Sequence, residues 1–473
     1  MSEKEPQLKK HLSPANLLAL ALGCIIGWGA FIMPGNSFLG NAGPIGTCIA
    51  MLIAAIVMSI IAVNYGYMIK RFPVTGGGFV YAERAFGKTH AFICAWFLTL
   101  AYLSIVQLNA TALALIGRNL LGNIFAVGFH YTVAGYDVYG GEVALAIVAL
   151  IVFAWLSIRG TKISGGFQTL LVALLLLGIF AVAIAAIVSP QATLENLSPA
   201  FGTGNEAFGG IMAVVAVAPW AFIGFDTVPQ ATEELNFSVA KTRVIMIASI
   251  FFGALVYALL TVVTASVVPE GYADWAAYIA DLPNLEGLIS LPTFYVAYEL
   301  MGNVGVTIMV IAAFGAILSG IVGFYMASSR LLMALAREGF LPAWFGHVGK
   351  RGTPDHAIIA IMAVSFIAPF FGRTVLGWIV DMSSVGAAVS YAYTSAAAFK
   401  FARKSNAPVV RVTGIVGCIL SCIFVFILLV PVPGLGASLG PESMAALIVW
   451  TVLGLVSYLL ARRKYTRELK EST

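Results

Sequence analysis

The residues best placed to do chemistry are those that damage an apolar helix. The segment Gly23-Cys24-Ile25-Ile26-Gly27-Trp28-Gly29-Ala30-Phe31, followed by Pro34 and Gly35, sets three glycines within seven residues of an apolar run. Glycine is costly in a helix interior and lets the backbone open toward a ligand. Inside a bilayer such an opening is tolerated only where it lines a cavity or is buried in protein. A second segment, Pro219-Trp220-Ala221-Phe222-Ile223-Gly224-Phe225-Asp226-Thr227-Val228-Pro229, brackets an aspartate between two prolines and a glycine. At the first break the amides of Gly27, Trp28 and Gly29 open the start of a half-helix, whose partial positive charge suits a carboxylate. At the second, the carbonyls of Ala221, Phe222 and Ile223 lose their helical partners and suit an ammonium group. Together these describe the backbone of an α-amino acid, a polarity inferred from the pattern.

Asp226 is the ionisable residue nearest the centre of an apolar run. An aspartate at mid-bilayer costs about 2.5 to 3.5 kcal/mol on insertion scales, so it serves function or finds a partner. Burial disfavours the charged form of a carboxyl, so Asp226 could exchange a proton and act in coupling or gating. The structural alternative is a helix cap, satisfied by amides near Val228 and Gln230. Asp381 lies one to two turns into its own run and reads as an outer-gate or water-cavity residue.

The elements that must hold these residues follow from composition. Of 473 residues 60% are hydrophobic and 10% charged, against roughly 25% charged in a soluble domain, and the mean hydropathy is +0.96. The chain is therefore expected to be an all-α polytopic membrane protein. Twelve apolar runs are long enough to cross a bilayer, near 15–38, 44–69, 90–117, 142–159, 165–188, 207–235, 244–268, 303–330, 355–372, 375–400, 409–431 and 442–461. The stretches 118–141, 269–302 and 331–354 are expected as short loops or interfacial helices. The first run reads as a retained span, not a removed signal peptide. Gly27 and Gly224 lie about 197 residues apart, so 1–205 and 206–402 each hold five runs whose first is interrupted. An odd number inverts the second half, and inverted repeats with broken helices point to a secondary transporter's binding site. Residues 403–473, with runs eleven and twelve and a tail, fall outside that repeat.

Charge gives an orientation. With the N-terminus inside, alternation through twelve spans places all 26 basic residues inside except Arg118 and Arg373, a strong positive-inside bias. The inner set begins with Lys4 and ends with Arg462, Arg463, Lys464, Arg467 and Lys470, so both termini are expected in the cytoplasm. Acidic residues including Asp137, Glu142, Glu206, Glu270 and Glu299 fall outside, as ordinary solvated loop surface or as an attractor for cationic or zwitterionic solutes. The net charge of +5 is a matter of topology and implies no nucleic acid. Cys24, Cys48, Cys94, Cys418 and Cys422 all lie in apolar runs without metal-site spacing and read as small buried hydrophobes.

Other chemistries fit less well. His11, His90, His130, His347 and His356 fall at ends or in loops, which argues against a haem protein or membrane enzyme, and neither cofactor nor metal is expected. Phe86-Gly87-Lys88-Thr89 imitates the end of a phosphate-binding loop, but Ala82 stands where its first glycine is required. A channel or receptor would not explain two interrupted helices at inverted-repeat positions.

The first break resembles the Gly-x-x-Ile-Gly-x-Gly-Ile-Phe signature of the amino acid, polyamine and organocation transporter superfamily. Phe72-Pro73-Val74-Thr75-Gly76-Gly77-Gly78-Phe79-Val80-Tyr81 is similar to the loop after its second helix. Trp220 to Glu234 resembles its sixth helix, in the form seen in cationic amino acid transporters. Ser329 to Pro342, then Gly352-Thr353-Pro354, resembles its linker from helix eight to nine. The likeness covers about 12–402 and implies a leucine-transporter-type fold, a 5+5 inverted repeat with helices one and six broken, working by alternating access. It implies that Ile25, Ile26, Gly27, Trp28 and Gly29 bind substrate together with the Ala221, Phe222 and Ile223 backbone, that Trp220 forms a lid, and that Phe324 acts as a gate. Ser383 and Ser384 match a polar pair facing the pocket. Trp28 stands where the family has a small residue, and the fifth run lacks a lysine that many sodium-independent members carry there. The expected function is secondary transport of amino acids across the cell membrane, with an amine or polyamine permease as the alternative. Coupling stays open between proton symport, exchange and sodium, and the sequence assigns neither the substrate nor the oligomeric state.

Overall fold

A computed structural model describes residues 8–133, 136–202, 207–372, 374–433, 435 and 438–471; Lys4, Glu206 and Arg373 lie outside them. In chain order the helices are α1 (Pro14–Ile26), α2 (Gly29–Met33), α3 (Leu39–Arg71), α4 (Gly78–Phe86) and α5 (Lys88–Leu121). An antiparallel hairpin, β1 (His130–Val133) and β2 (Tyr136–Tyr139), pairs His130 with Tyr139 and Val133 with Tyr136. Then come α6 (Gly140–Ile158), α7 (Thr161–Val188), α8 (Ala207–Ala216) and α9 (Ala218–Ala221), a 3₁₀ helix at Phe225–Glu234, α10 (Thr242–Ser266) and α11 (Trp275–Asp281). The chain continues with α12 (Pro292–Arg337), α13 (Asp355–Ser365), α14 (Thr374–Ala402), α15 (Pro408–Leu429) and α16 (Pro441–Glu471).

Each apolar run of the sequence lies in helical structure, though not one run to one helix. Among the described residues nine helices are long and apolar enough to cross a membrane, or ten when α8 is joined across a 44° bend to the segment Ala218–Glu234. Pro14–Arg71 counts there as a single 58-residue element. It is broken at Gly27 (φ 47°) and bent at Gly43 (φ 71°). Asp355–Phe371 is apolar but shorter than the others.

Burial is inside out relative to a protein in water. Large apolar side chains such as Leu177, Ile187 and Val188 face outward, while Asn64, Gln168, Asp226, Gln230, Glu234 and Arg330 are buried. An apolar exterior of this extent would associate in water; against lipid it is the expected surface. The interior polar groups are those that need protein partners.

The breaks have local causes. Ser13 caps α1, its hydroxyl accepting from Asn16 N at 3.2 Å, with Pro14 in the first turn. The helix stops where Gly27 turns to φ 47°. Gly224, at φ 144°, separates α9 from the 3₁₀ helix. Both are backbone conformations that a side chain would strain. The two broken stretches also meet at their far ends: His11 N and Leu12 N each donate to Glu234 O at 3.0 Å, and Asn236 N donates to Leu12 O at 3.1 Å.

The segments between runs differ from simple loops. The stretch 118–141 holds the hairpin, braced by Arg118, whose Nη2 donates to Asp137 O at 2.6 Å and whose guanidinium pairs with Glu142. The Tyr131 hydroxyl reaches Phe370 O at 2.5 Å. In 269–302, α11 is followed by the first turns of α12, which bends at Gly302 (φ 62°). The last helix, α16, lies at the edge, stacking Trp450 on Trp96 of α5 with centroids 4.7 Å apart.

Candidate functional site

The interruption of one stretch packs on the interruption of the other. A β-carbon at Gly224 would fall 2.7 Å from Ile25 N and 2.8 Å from Cys24 Cβ, so only a glycine lets the two backbones approach this closely. Gly29 lies under the Trp220 indole, which a β-carbon there would strike. Ile25, Ile26, Trp28, Trp220, Ala221, Phe222 and Ile223 are all buried.

Backbone groups are left open on both sides. After Gly27 N donates to Gly23 O at 3.2 Å, the Trp28 amide finds no backbone acceptor among the described residues. Ile223 N donates to Trp220 O at 3.0 Å, yet the carbonyls of Phe222 and Ile223 receive no backbone bond among them. The indole nitrogens of Trp28 and Trp220 are likewise buried without a partner. Buried orphan donors and acceptors are rare in folded proteins, and here they gather at one place.

Some expected groups are already engaged. Tyr257 of α10 directs its hydroxyl at Ile25 O (3.2 Å) and Ile26 O (3.4 Å). With one proton, it can satisfy only one of those two carbonyls at a time. Ser383 donates to Ile379 O at 2.6 Å and Ser384 to Val380 O at 2.9 Å, so both hydroxyls serve their own helix, α14, which packs against α9.

Asp226 is fully buried. Its Oδ1 accepts from Gly224 N, two residues before it, at 2.9 Å and not from the amides near Val228 and Gln230. The Tyr102 hydroxyl lies 3.1 Å from Oδ2 and 2.7 Å from Asp226 O. With one proton, Tyr102 can serve only one of them at a time. Phe324 packs against Tyr102, the rings tilted by 50° with centroids 5.8 Å apart, which ties α12 to the aspartate. Phe225 turns the other way, into a cluster with Tyr65 (5.7 Å) and Tyr391 (5.4 Å). Asp381 lies apart from this group: its Oδ2 accepts from Ser443 of α16 at 2.6 Å, joining two helix ends.

Tyr102, Tyr257 and Gln168 are additions that sequence reasoning did not name. The tyrosines gave no local signal, since their contacts are made only by folding. Gln168, a buried amide without partners, did: it is a polar residue in the fifth apolar run. Its Nε2 would lie 2.7 Å from a β-carbon on Gly23, one turn before the first break.

The sequence profile of the amino acid permease family matches residues 12–453. The chain is 25% identical to the branched-chain amino acid permease BcaP of Bacillus subtilis (strain 168), over 98% of its own length and 95% of that protein's. It is 24% identical to the methylthioribose transporter of the same organism, with the same shares of the two chains covered. It is also 24% identical to the lysine-specific permease LysP of Lactococcus lactis subsp. cremoris (strain MG1363), over 85% of this chain and 78% of that one. A polytopic helical architecture with an apolar exterior, two interrupted helices packed break to break, and a profile match over nearly the whole chain lead to one conclusion: this multi-pass membrane protein belongs to the amino acid permease family.

Proposed function

We propose that the protein carries amino acids across the cell membrane by alternating access, with the two packed breaks as the substrate site. The observation that carries this reading is the pairing of open groups: a free amide at Trp28 faces the chemistry of a carboxylate, and free carbonyls at Phe222 and Ile223 that of an ammonium. Gly27 and Gly29 give the first segment its opening, and Ala221 continues the second. Trp220 closes over Gly29, Phe324 acts through Tyr102, and Ser383 and Ser384 line the site from α14 once their hydroxyls leave their own helix. Asp226 couples the cycle to a proton or gates it, and Asp381 steadies the outer end of α14.

In this reading the chain crosses twelve times, Pro14–Arg71 supplying two crossings and Asp355–Phe371 a short one. Residues 1–205 and 206–402 are the inverted halves, 403–473 is peripheral, and both termini are cytoplasmic. Most side chains around the breaks are aromatic or aliphatic, with Asp226, Thr227, Gln168 and Ser319 among the polar exceptions. This supports a neutral amino acid with an apolar side chain.

Uptake into proteoliposomes tests the reading. Labelled leucine is competed with a panel of amino acids, their decarboxylated amines and polyamines. Competition by amino acids but not by their amines is expected; inhibition only by carboxylate-free compounds would replace the amino acid reading with that of an amine permease. Repeating the assay without sodium, with and without a proton ionophore, assigns the coupling ion.

A further inference from the structure

Away from the breaks, between α12 and α13, the chain gathers His347, Asp355 and His356. One ligand atom from each lies within 4.8 Å of the others. We propose that these residues form a site for a divalent transition metal, zinc above all, on the face of the protein that carries the N-terminal segment.

The loop is built to bring them together. Gly349 N donates to Thr353 O at 2.9 Å and Gly352 N to Gly349 O at 2.8 Å, a tight reversal that returns the chain past His347. Gly349 lies against the Asp355 carboxylate, where a β-carbon would be 2.5 Å from Oδ2. Thr353 donates to Ile158 O at 3.2 Å, and Val348 packs with Leu8 and Met333. The loop is therefore fixed to α6, α12 and the N-terminal segment.

The His356 imidazole is presented in the required tautomer. His356 Nδ1 is 3.1 Å from Trp344 O, and a carbonyl can only accept, so Nδ1 carries the proton. His347 Nδ1 is 2.7 Å from Asp355 Oδ1, which requires the same of it when the ring is neutral. The His356 Nε2 lone pair is then free, in the arrangement where a ligating histidine donates its other N–H to a carbonyl, and a metal would displace the proton that His347 Nδ1 shares with Asp355, so that both of those atoms become ligands. The rings lie nearly parallel, 20° apart with centroids at 4.1 Å, and Trp344 stacks on the outer face of His356 at 4.7 Å. Zinc accepts imidazole and carboxylate at about 2.0 to 2.2 Å, which sets ligand atoms roughly 3.3 Å apart in a tetrahedron. From separations of up to 4.8 Å the ligand atoms need close by about 1.5 Å at most, and His347, half exposed, is free to turn. A hollow of about 560 Å³ borders the imidazoles and leaves room for the remaining ligand positions. Arg337, which also lines it, has its charge directed at Glu233, 3.5 Å away.

The test uses the full chain in detergent, purified through a tag without histidines. Titration with Zn²⁺ is expected to give one saturable equivalent, and Co²⁺ a visible d–d band without the near-ultraviolet thiolate absorption that cysteine ligation would add. His347→Gln and His356→Gln should each weaken binding at least tenfold, and Asp355→Asn about 10- to 100-fold. Should a variant fail to purify, the zinc-induced rise in Tm of the wild-type chain, together with the cobalt spectrum, decides the matter. No saturable binding, a thiolate spectrum, or undiminished binding in a folded His347→Gln/His356→Gln double variant would overturn the proposal.

Discussion

At the residue scale, the two glycine breaks and Asp226 are the positions where one atom decides the outcome. Asp226→Asn keeps the shape of the side chain and removes its charge, so transport is expected to lose its dependence on the proton gradient; uptake of wild-type rate and pH profile would end the coupling role. Tyr102→Phe removes one hydroxyl donor, worth about 1 kcal/mol, and should change the pH profile in the same direction but less. A sharper structural test concerns Gly253 of α10, where a β-carbon would collide with Ile25 Cγ2. Gly253→Ala should lower stability by roughly 1 to 3 kcal/mol, the usual cost of overpacking. Ile25→Leu in the same chain, which removes the Cγ2 branch, should recover part of it, as contacting residues couple. Thermal unfolding of both variants in detergent checks this, and strict additivity of the two changes would contradict the contact.

At the scale of elements, the joint between α12 and the 3₁₀ helix stands out. Arg330 Nε meets Glu234 Oε1 at 2.7 Å, with both side chains buried, and Glu234 O also receives the His11 and Leu12 amides. Removing one partner strands a buried charge at a cost of about 3 to 5 kcal/mol, whereas replacing both with apolar groups is often neutral. Arg330→Met alone should therefore unfold far more readily than Arg330→Met/Glu234→Leu, and Tm values for the two settle it. The sequence made the helices legible because long apolar runs and glycine breaks are local signals. It made the hairpin at 118–141 illegible: its residues show no clear alternation, and its order comes from Arg118 and Tyr131 reaching other segments. The same limit hid Tyr102 and Tyr257. Asp226 was readable as a residue in need of partners, but not which ones, and Asp381 gave no hint that its partner stands on α16.

At the scale of the whole molecule, orientation remains the property with the widest reach. In the proposed twelve-crossing topology Lys and Arg crowd one set of connections, and the hairpin with its Arg118–Glu142 pair belongs to the other. An impermeant maleimide applied to intact cells should label Thr132→Cys and spare Ser405→Cys, with the pattern reversed in inverted vesicles; equal labelling from one side would refute the assigned topology. The 3₁₀ helix sets a scale for motion within this frame. Ten residues so wound, Phe225–Glu234, extend about 20 Å, whereas the same ten in α form extend about 15 Å. Rewinding would set the Pro229 ring against the Phe225 carbonyl, as an α-helix requires, and shorten the rod by a quarter. Glu234, which grips Arg330 and the N-terminal segment at one end, and Asp226 at the other would be drawn together like the ends of a slackened bowstring, a change of length that a spin-label pair across the segment could measure.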